Sequence, residues 1–388
     1  REQPWLAFLS WLPVPLGVLA LWLPAWPPLA RRIAKPWASL LFFALTRVVF
    51  AWVVFGVLGH RSWDWSGFLL QSQAALEGRL PYRDFPSLFA PGLPYLFGAA
   101  LALSPEWGLL ALFLLADLGT FLLLARLPGG RAPSRDSAAW AYLAFPPVWY
   151  FEIRYGQEEA VAALFVALAL VALARGRGLL AGLALAAGQL VTKLLFGLAA
   201  LPLLLGSRAT MATRLAYLIP VGLVYAAMTV AGLPWMRELS GQAGEFGSGP
   251  TLWRLPQLWL GFELGRFAMV PFVVALAIGW WRLIRRTADG VSLLAWCWGC
   301  FALLAPKLLP MYVVMVAPGL AVWVAREGGR GRFLWWGLYG FALATVWYAD
   351  SGPVQGLFGP VGVALGAGVI VLTVALDLWL LREVWRKG

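Results

Sequence analysis

Long apolar runs, broken only by short basic or Pro/Gly-rich punctuation, fill this chain almost from end to end. A helix needs roughly 20 mostly apolar residues to cross a bilayer. The pattern predicts spans at 36–58, 107–126, 137–152, 158–175, 178–192, 194–207, 213–233, 267–284, 291–306, 308–325, 333–349 and 358–381. The run 5–29 is a further predicted span, which brings the expectation to about 12–13 membrane helices. The fold class expected is all-α and polytopic, with residues 1–388 as a single transmembrane domain.

Composition agrees, since the chain is 61% hydrophobic and 12% charged, where a soluble chain is about a quarter charged. The formal charge of +12 is not gathered into the stripe or tail that nucleic acid requires. It punctuates the helices instead, in clusters at Arg31/Arg32/Lys35, Arg126/Arg131/Arg135, Arg175/Arg177, Arg208/Arg214, Arg282/Arg285/Arg286, Arg326/Arg330/Arg332 and Arg382/Arg386/Lys387. The positive-inside rule assigns these to the cytoplasm. Outer loops then fall near 59–106, 152–158, 192–194, 234–266, 306–308 and 350–357.

In the first outer loop, Ser66 to Gly78 is expected as an interfacial helix. The Pro-bounded run 89–104 is too short to cross and is expected as a re-entrant or interfacial hairpin. Loop 234–266 mixes Gly with Trp235, Trp253 and Trp259 and reads as a mobile cover. Cys297 and Cys300 are too few for a disulfide framework. The Trp-rich opening run, without a small-residue cleavage pattern, reads as a membrane segment and not a signal peptide.

Ionisable groups at membrane depth are costly and are candidates for function. Asp64, flanked by Trp63 and Trp65, follows the first core span. Aromatic neighbours that desolvate it would make it a general base toward a hydroxyl, whereas a loop acid capping the helix at Ser66 is the plainer role. Glu152, Arg154, Gln157, Glu158 and Glu159 crowd the next outer turn, where they are either a site or a solvated bend. Lys193 and Lys307 each stand in an apolar run at the same expected depth. They suit an anionic headgroup or phosphate, or else snorkel to the surface. Arg47, Asp117 and Asp377 lie inside spans and are expected as buried pairs or packing groups. His60 is the sole histidine, so no cofactor or histidine-based metal site is expected, although Asp64, Asp84 and Glu158 have the chemistry to share a divalent ion.

Three stretches carry a resemblance to the glycosyltransferase C (GT-C) superfamily of membrane enzymes. WDWSGFLLQSQAALEGRLPYRDFPSLFAPGLPYLFGAALAL (63–103) is similar to that family's first outer loop, with an acid after the first core span, a helix, a G-x-x-PY element and a Pro-rich apolar segment. GQEEAVAALFVALALVALARGRGLLAGLALAAGQLVTKLLFGLAALPLL (156–204) resembles a stretch of polyprenyl-phosphomannose-dependent mannosyltransferases. PKLLPMYVVMVAPGLAVW (306–323) is like the family's later lysine and tyrosine-bearing helix. Two departures stand out. Many relatives have an Asp-Glu pair where this chain has Asp64-Trp65, and Glu158 replaces the usual Asn.

The resemblance implies an inverting transfer of a sugar, a hexose such as mannose, from a polyprenyl-phosphate donor to a lipid-linked or glycan hydroxyl. Asp64 would be the base. Lys193, Lys307, Arg154 and Tyr312 would hold the donor phosphate, and Asp84, Gln157, Glu158 and Tyr82 would contact sugar or acceptor. The setting implied is a bacterial or archaeal cytoplasmic membrane, with a monomer whose site faces outward and whose partners are the lipid donor, the acceptor and the bilayer. A secondary transporter or lipid flippase is the alternative, and a non-catalytic membrane scaffold leaves Asp64 unexplained.

Overall fold

A computed structural model describes residues 4–22, 36–127, 133–237, 250–261, 267, 269–286, 288–326, 330–350 and 360–387. The first helices are α1 (Pro4–Trp11), α2 (Val14–Trp22), α3 (residues 36–57) and α4 (Trp63–Leu76). Next come α5 (Leu93–Leu103), α6 (Gly108–Leu124), α7 (Pro133–Leu143), α8 (Pro146–Arg154), α9 (Glu159–Ala174) and α10 (Gly178–Val191). After a 3-10 turn at Leu194–Phe196 follow α11 (Gly197–Leu205), α12 (Met211–Val230), α13 (Arg254–Leu260), α14 (Met269–Arg285) and α15 (Gly290–Leu304). A second 3-10 turn, Pro310–Tyr312, leads into α16 (Val313–Arg326), α17 (Arg330–Asp350) and α18 (Pro360–Lys387). Among the described residues the only β-type pairing is an isolated bridge between Pro81 and Phe85.

Among the described residues three helices are long and apolar enough to cross a membrane unaided, at Trp37–Val57, Met211–Val230 and Val361–Arg386. A pair, α5 and α6, reaches that length only together and is bent by 111°. The bend falls at Ser104 and Pro105, which end α5, and Gly108 lets α6 start against it, so the run expected as a hairpin at 89–104 holds the single helix α5. Two expected spans are broken where proline interrupts the hydrogen-bond ladder. The run 137–152 divides into α7 and α8 before Pro146 and Pro147, and the run 5–29 divides into α1 and α2 at Leu12 and Pro13. Residues 23–29 lie outside the described residues.

The core is formed by α8, α9, α15 and α16, whose side chains are almost entirely buried. Helix α9 packs against α6, α10 and α16, while α12 and α14 leave most of their apolar side chains exposed, as lipid-facing helices do. Close approach of α10 and α12 depends on small residues. A Cβ on Gly182 would come within 2.2 Å of the Thr213 carbonyl oxygen, which is the small-residue packing that replaces hydrophobic drive between membrane helices.

Basic helix ends meet one another. Arg175 donates to the carbonyl of Arg126, and Arg326 at the end of α16 pairs with Asp289 at the start of α15. Chain direction therefore gathers the starts of α9 and α16 and the end of α10 at the opposite end of the bundle.

Parts of loop 234–266, at 238–249 and 262–266, lie outside the described residues, as do 351–359 of the last outer loop. In the described part of that loop, Leu252 N donates to Leu303 O at 2.9 Å and Trp253 Nε1 to Leu304 O at 2.7 Å.

Arg47 and Asp117 are the buried pair expected. Arg47 sits in a π-helical stretch of α3 (Ala44–Val49), is fully buried and donates Nε to Asp117 Oδ2 at 2.7 Å. Its Nη1 reaches the Leu143 carbonyl at 2.6 Å and the Thr46 hydroxyl at 2.8 Å. One guanidinium thereby joins α3, α6 and the break between α7 and α8. Asp377 on α18 is also fully buried.

Removing one partner of a buried pair leaves an uncompensated charge. Arg47→Met is expected to lower stability by roughly 3–5 kcal/mol, read as unfolding in detergent. Adding Asp117→Leu is expected to restore part of that loss, and a purely additive double variant would show that the pair is not coupled.

Candidate functional site

The site begins with Asp64. Its carboxylate lies in the first turn of α4, which opens at Trp63 and not at Ser66, so Asp64 does not cap from a preceding loop. It is also exposed, contrary to the expected desolvation by Trp63 and Trp65, because Trp65 turns inward and is 5% exposed. Trp65 packs edge-on against Phe55 of α3 with centroids 5.0 Å apart. Asp64 is therefore accessible while its helix is anchored.

Gln157 holds that carboxylate. Its Nε2 donates to Asp64 Oδ2 at 2.7 Å and to the Tyr155 carbonyl at 3.0 Å. The turn that delivers Gln157 relies on Gly156, whose φ is +59° and whose Cβ position lies 3.0 Å from the Trp65 ring. A side chain there meets both backbone strain and the ring.

The next two residues clamp Lys193. Its Nζ lies 2.5 Å from Glu158 Oε1 and 2.7 Å from Glu159 Oε1, and both carboxylate side chains are 1% exposed. The ammonium also lies 5.0 Å from the centroid of the Tyr312 ring and 5.8 Å from that of Phe89, within cation–π range. Lys193 is extended (φ −148°, ψ 162°) between α10 and the following 3-10 turn. Backbone bonds fix this break: Ala90 N donates to Thr192 O at 3.0 Å and Gly92 N to Leu190 O at 2.9 Å. Gln189 Nε2 adds bonds to the Lys193 and Leu194 carbonyls at 3.3 Å each. Burial first, then the Glu159 carboxylate, pushes Glu158 up to about 7, with Lys193 pulling against both.

Asp64, Gln157, Glu158, Lys193 and Tyr312 are thus brought together, and Tyr312 lies in the electrostatic reach of Asp64 as well as Lys193. Glu158 meets Lys193, where the expectation was a sugar contact. Lys307 is half-buried on the segment leading to the Pro310–Tyr312 turn. Arg154 points elsewhere, donating to Ser10 Oγ of α1 at 2.8 Å and contacting the His60 ring.

Tyr82 and Asp84 belong to a separate turn. Tyr82 (φ +65°) donates its hydroxyl to the Phe89 carbonyl and packs against Met228 of α12. The Arg83 hydrogen bond, followed by the Leu80 N–H, holds Asp84 down to about 2. Asp84 is committed to Arg83 at 2.9 Å, and Glu158 to Lys193, so these two do not join Asp64 around a divalent ion. Among the described residues no group of three or more His, Cys, Asp or Glu side chains is placed to hold a metal.

Two participants escaped the sequence reading of the site. Glu159 stood beside Glu158 but was assigned no part, and Phe89 read only as one apolar residue of the hairpin. An acidic doublet after a glycine turn, facing an isolated lysine on the next helix, is the signal that pointed to the first.

No known family model and no curated protein sequence matches this chain. Among solved structures, the crystal structure of ArnT from Cupriavidus metallidurans in the apo state is similar at a TM-score of 0.40 and 16% identity, covering 82% of this chain and 68% of that one. At that degree of overlap no residue role passes from one chain to the other.

Gly156→Ala is expected to destabilise by about 1–3 kcal/mol and to shift the emission of a tryptophan-reduced protein that keeps Trp65. Unchanged stability and emission would show that the turn tolerates a side chain and does not fix Gln157.

Proposed function

We propose that this chain is an inverting membrane glycosyltransferase of GT-C type, moving a sugar from a polyprenyl-phosphate donor to a lipid or glycan hydroxyl on the outer membrane face. The observation that carries the reading is one short turn, Gly156–Glu159, that holds an exposed carboxylate with Gln157 and a half-buried ammonium with Glu158 and Glu159. A proton acceptor and a cation are thereby held in fixed relation at one end of the bundle.

In this reading Asp64 accepts the proton of the acceptor hydroxyl as its oxygen bonds to the anomeric carbon. The bond from that carbon to the phosphate oxygen breaks, and polyprenyl phosphate leaves with the electron pair. Phosphate is a good leaving group, so the protein's task is positioning and stabilising charge that develops on its oxygens. Lys193, with Tyr312 beside it, is assigned to that phosphate, and Lys307 to its approach. Gln157 orients the base. Arg154, turned to Ser10 and His60, braces α8, and Tyr82 and Asp84 shape the first loop around Phe89. Mannose as the sugar follows the sequence resemblance of 156–204.

The test is transfer of radiolabel from polyprenyl-phosphate sugars, mannose first, into a cell-lipid extract by protein reconstituted in lipid. Asp64→Asn is expected to lose activity by about 10²–10⁴-fold, the usual contribution of a general base. No consumption of any donor by wild type, or equal rates in the Asn variant, would overturn the assignment.

A further inference from the structure

Lys193 cannot meet a donor phosphate as it stands. Two carboxylates, those of Glu158 and Glu159, already pair with the one ammonium, and a third, that of Asp64, is held by Gln157 next in sequence to them. An arriving phosphodiester would add an anion to a cluster already in negative excess, in a buried setting where like charges repel strongly. An ammonium has three N–H donors; two are turned to the glutamates, and the aromatic faces of Tyr312 and Phe89 close around the rest. Something must move off Lys193 before phosphate can replace it.

The two glutamates are not equivalent. Lys193 donates a geometrically sound hydrogen bond to Glu159 Oε1 at 2.7 Å. Glu159 also opens α9, in the first turn where the helix dipole favours an anion. Glu158 lies outside the helix proper. Its Oε1 lies 2.5 Å from the ammonium and is sealed from solvent.

We propose that Glu158 is the group that the donor phosphate displaces from Lys193, and that the displaced carboxylate takes up one proton from solvent as the phosphate binds. This inference rests on the phosphate-binding reading of Lys193. A buried carboxylate that loses its counter-ion cannot remain charged at low cost. Protonation removes the excess charge and leaves a carboxylic acid able to donate a hydrogen bond to the phosphate. Glu158, already pushed up to about 7 while paired, is the member of the cluster nearest to accepting a proton. The groups facing it are Glu159, Lys193, Tyr312 and, through Gln157, Asp64.

The sign follows from linkage. Below about 7 the carboxyl is already protonated and phosphate enters without proton uptake. Above it each binding event takes up one proton, so affinity falls by about tenfold per pH unit at most.

The probe is a short-chain prenyl methyl phosphodiester, which lacks a sugar to transfer and a phosphate proton that titrates near neutrality. Binding to full-length protein in lipid nanodiscs is measured by calorimetry in two buffers of different ionisation heat, at about pH 6 and about pH 8. Wild type is expected to take up close to one proton per probe at the higher pH and almost none at the lower. Glu158→Gln is expected to take up none, to bind with the same affinity at both pH values, and to exceed wild type at the higher one. Lys193→Gln is expected to lose binding. Probe binding by wild type without proton uptake, or identical pH dependence in Glu158→Gln, overturns the exchange and leaves the donor reading intact. Failure of wild type to bind the probe at any pH overturns the donor reading itself. The wild-type measurement needs no variant to fold.

Discussion

The ammonium of Lys193, caught between Glu158 and Glu159, is the contact on which the rest of this end of the molecule depends. A lysine placed 16% exposed near the lipid boundary needs a counter-charge, and the two glutamates supply it from the first residues of α9. The clamp pins the start of α9 to the break between α10 and α11. Hydrogen bonds from Ala90 and Gly92 to the same break attach the first outer loop. Gln157, adjacent to the clamp, attaches α4 through Asp64. Four stretches distant in sequence are thus joined around one charge.

Below this layer a second buried pair has a different part. Arg47 with Asp117 binds the π-helical stretch of α3 to α6 and to the broken α7–α8 pair. The break is useful because Pro146 and Pro147 start a new helix whose end carries Arg154 and the Gly156 turn. Small-residue packing of α10 on α12, at Gly182, fixes the helix that leads to the Lys193 break. A site that must place a proton acceptor and a cation in fixed relation is supported by such inflexible elements.

Much of the fold was legible because membrane helices follow a simple rule of length and apolarity. Helices α3, α12 and α18 were readable for that reason, and so was the shortness of α5, bounded by Pro94 and Pro105. The breaks within 137–152 and 5–29 were less legible, since hydropathy continues across them and only the prolines mark them. In the site, Asp64 and Lys193 stood out as ionisable residues in apolar surroundings. Their relation did not. Sequence offered Asp64 either a setting desolvated by its aromatic neighbours or the role of a loop acid capping at Ser66, whereas Trp65 takes the buried position and Asp64 is exposed. Arg154 was among the phosphate ligands that the resemblance implied, yet from the end of α8 it donates to Ser10. Pairings between distant helices are fixed by tertiary packing, which no local pattern records.

The most direct test of this account is an electron cryomicroscopy map of the protein in nanodiscs with the non-transferable prenyl phosphodiester bound. The account predicts phosphate density against Lys193 and Tyr312, with the Glu158 side chain withdrawn from the ammonium and Asp64 open toward the prenyl phosphate's far side. Phosphate density elsewhere in the bundle, with the Glu158–Lys193–Glu159 clamp unchanged, would contradict it.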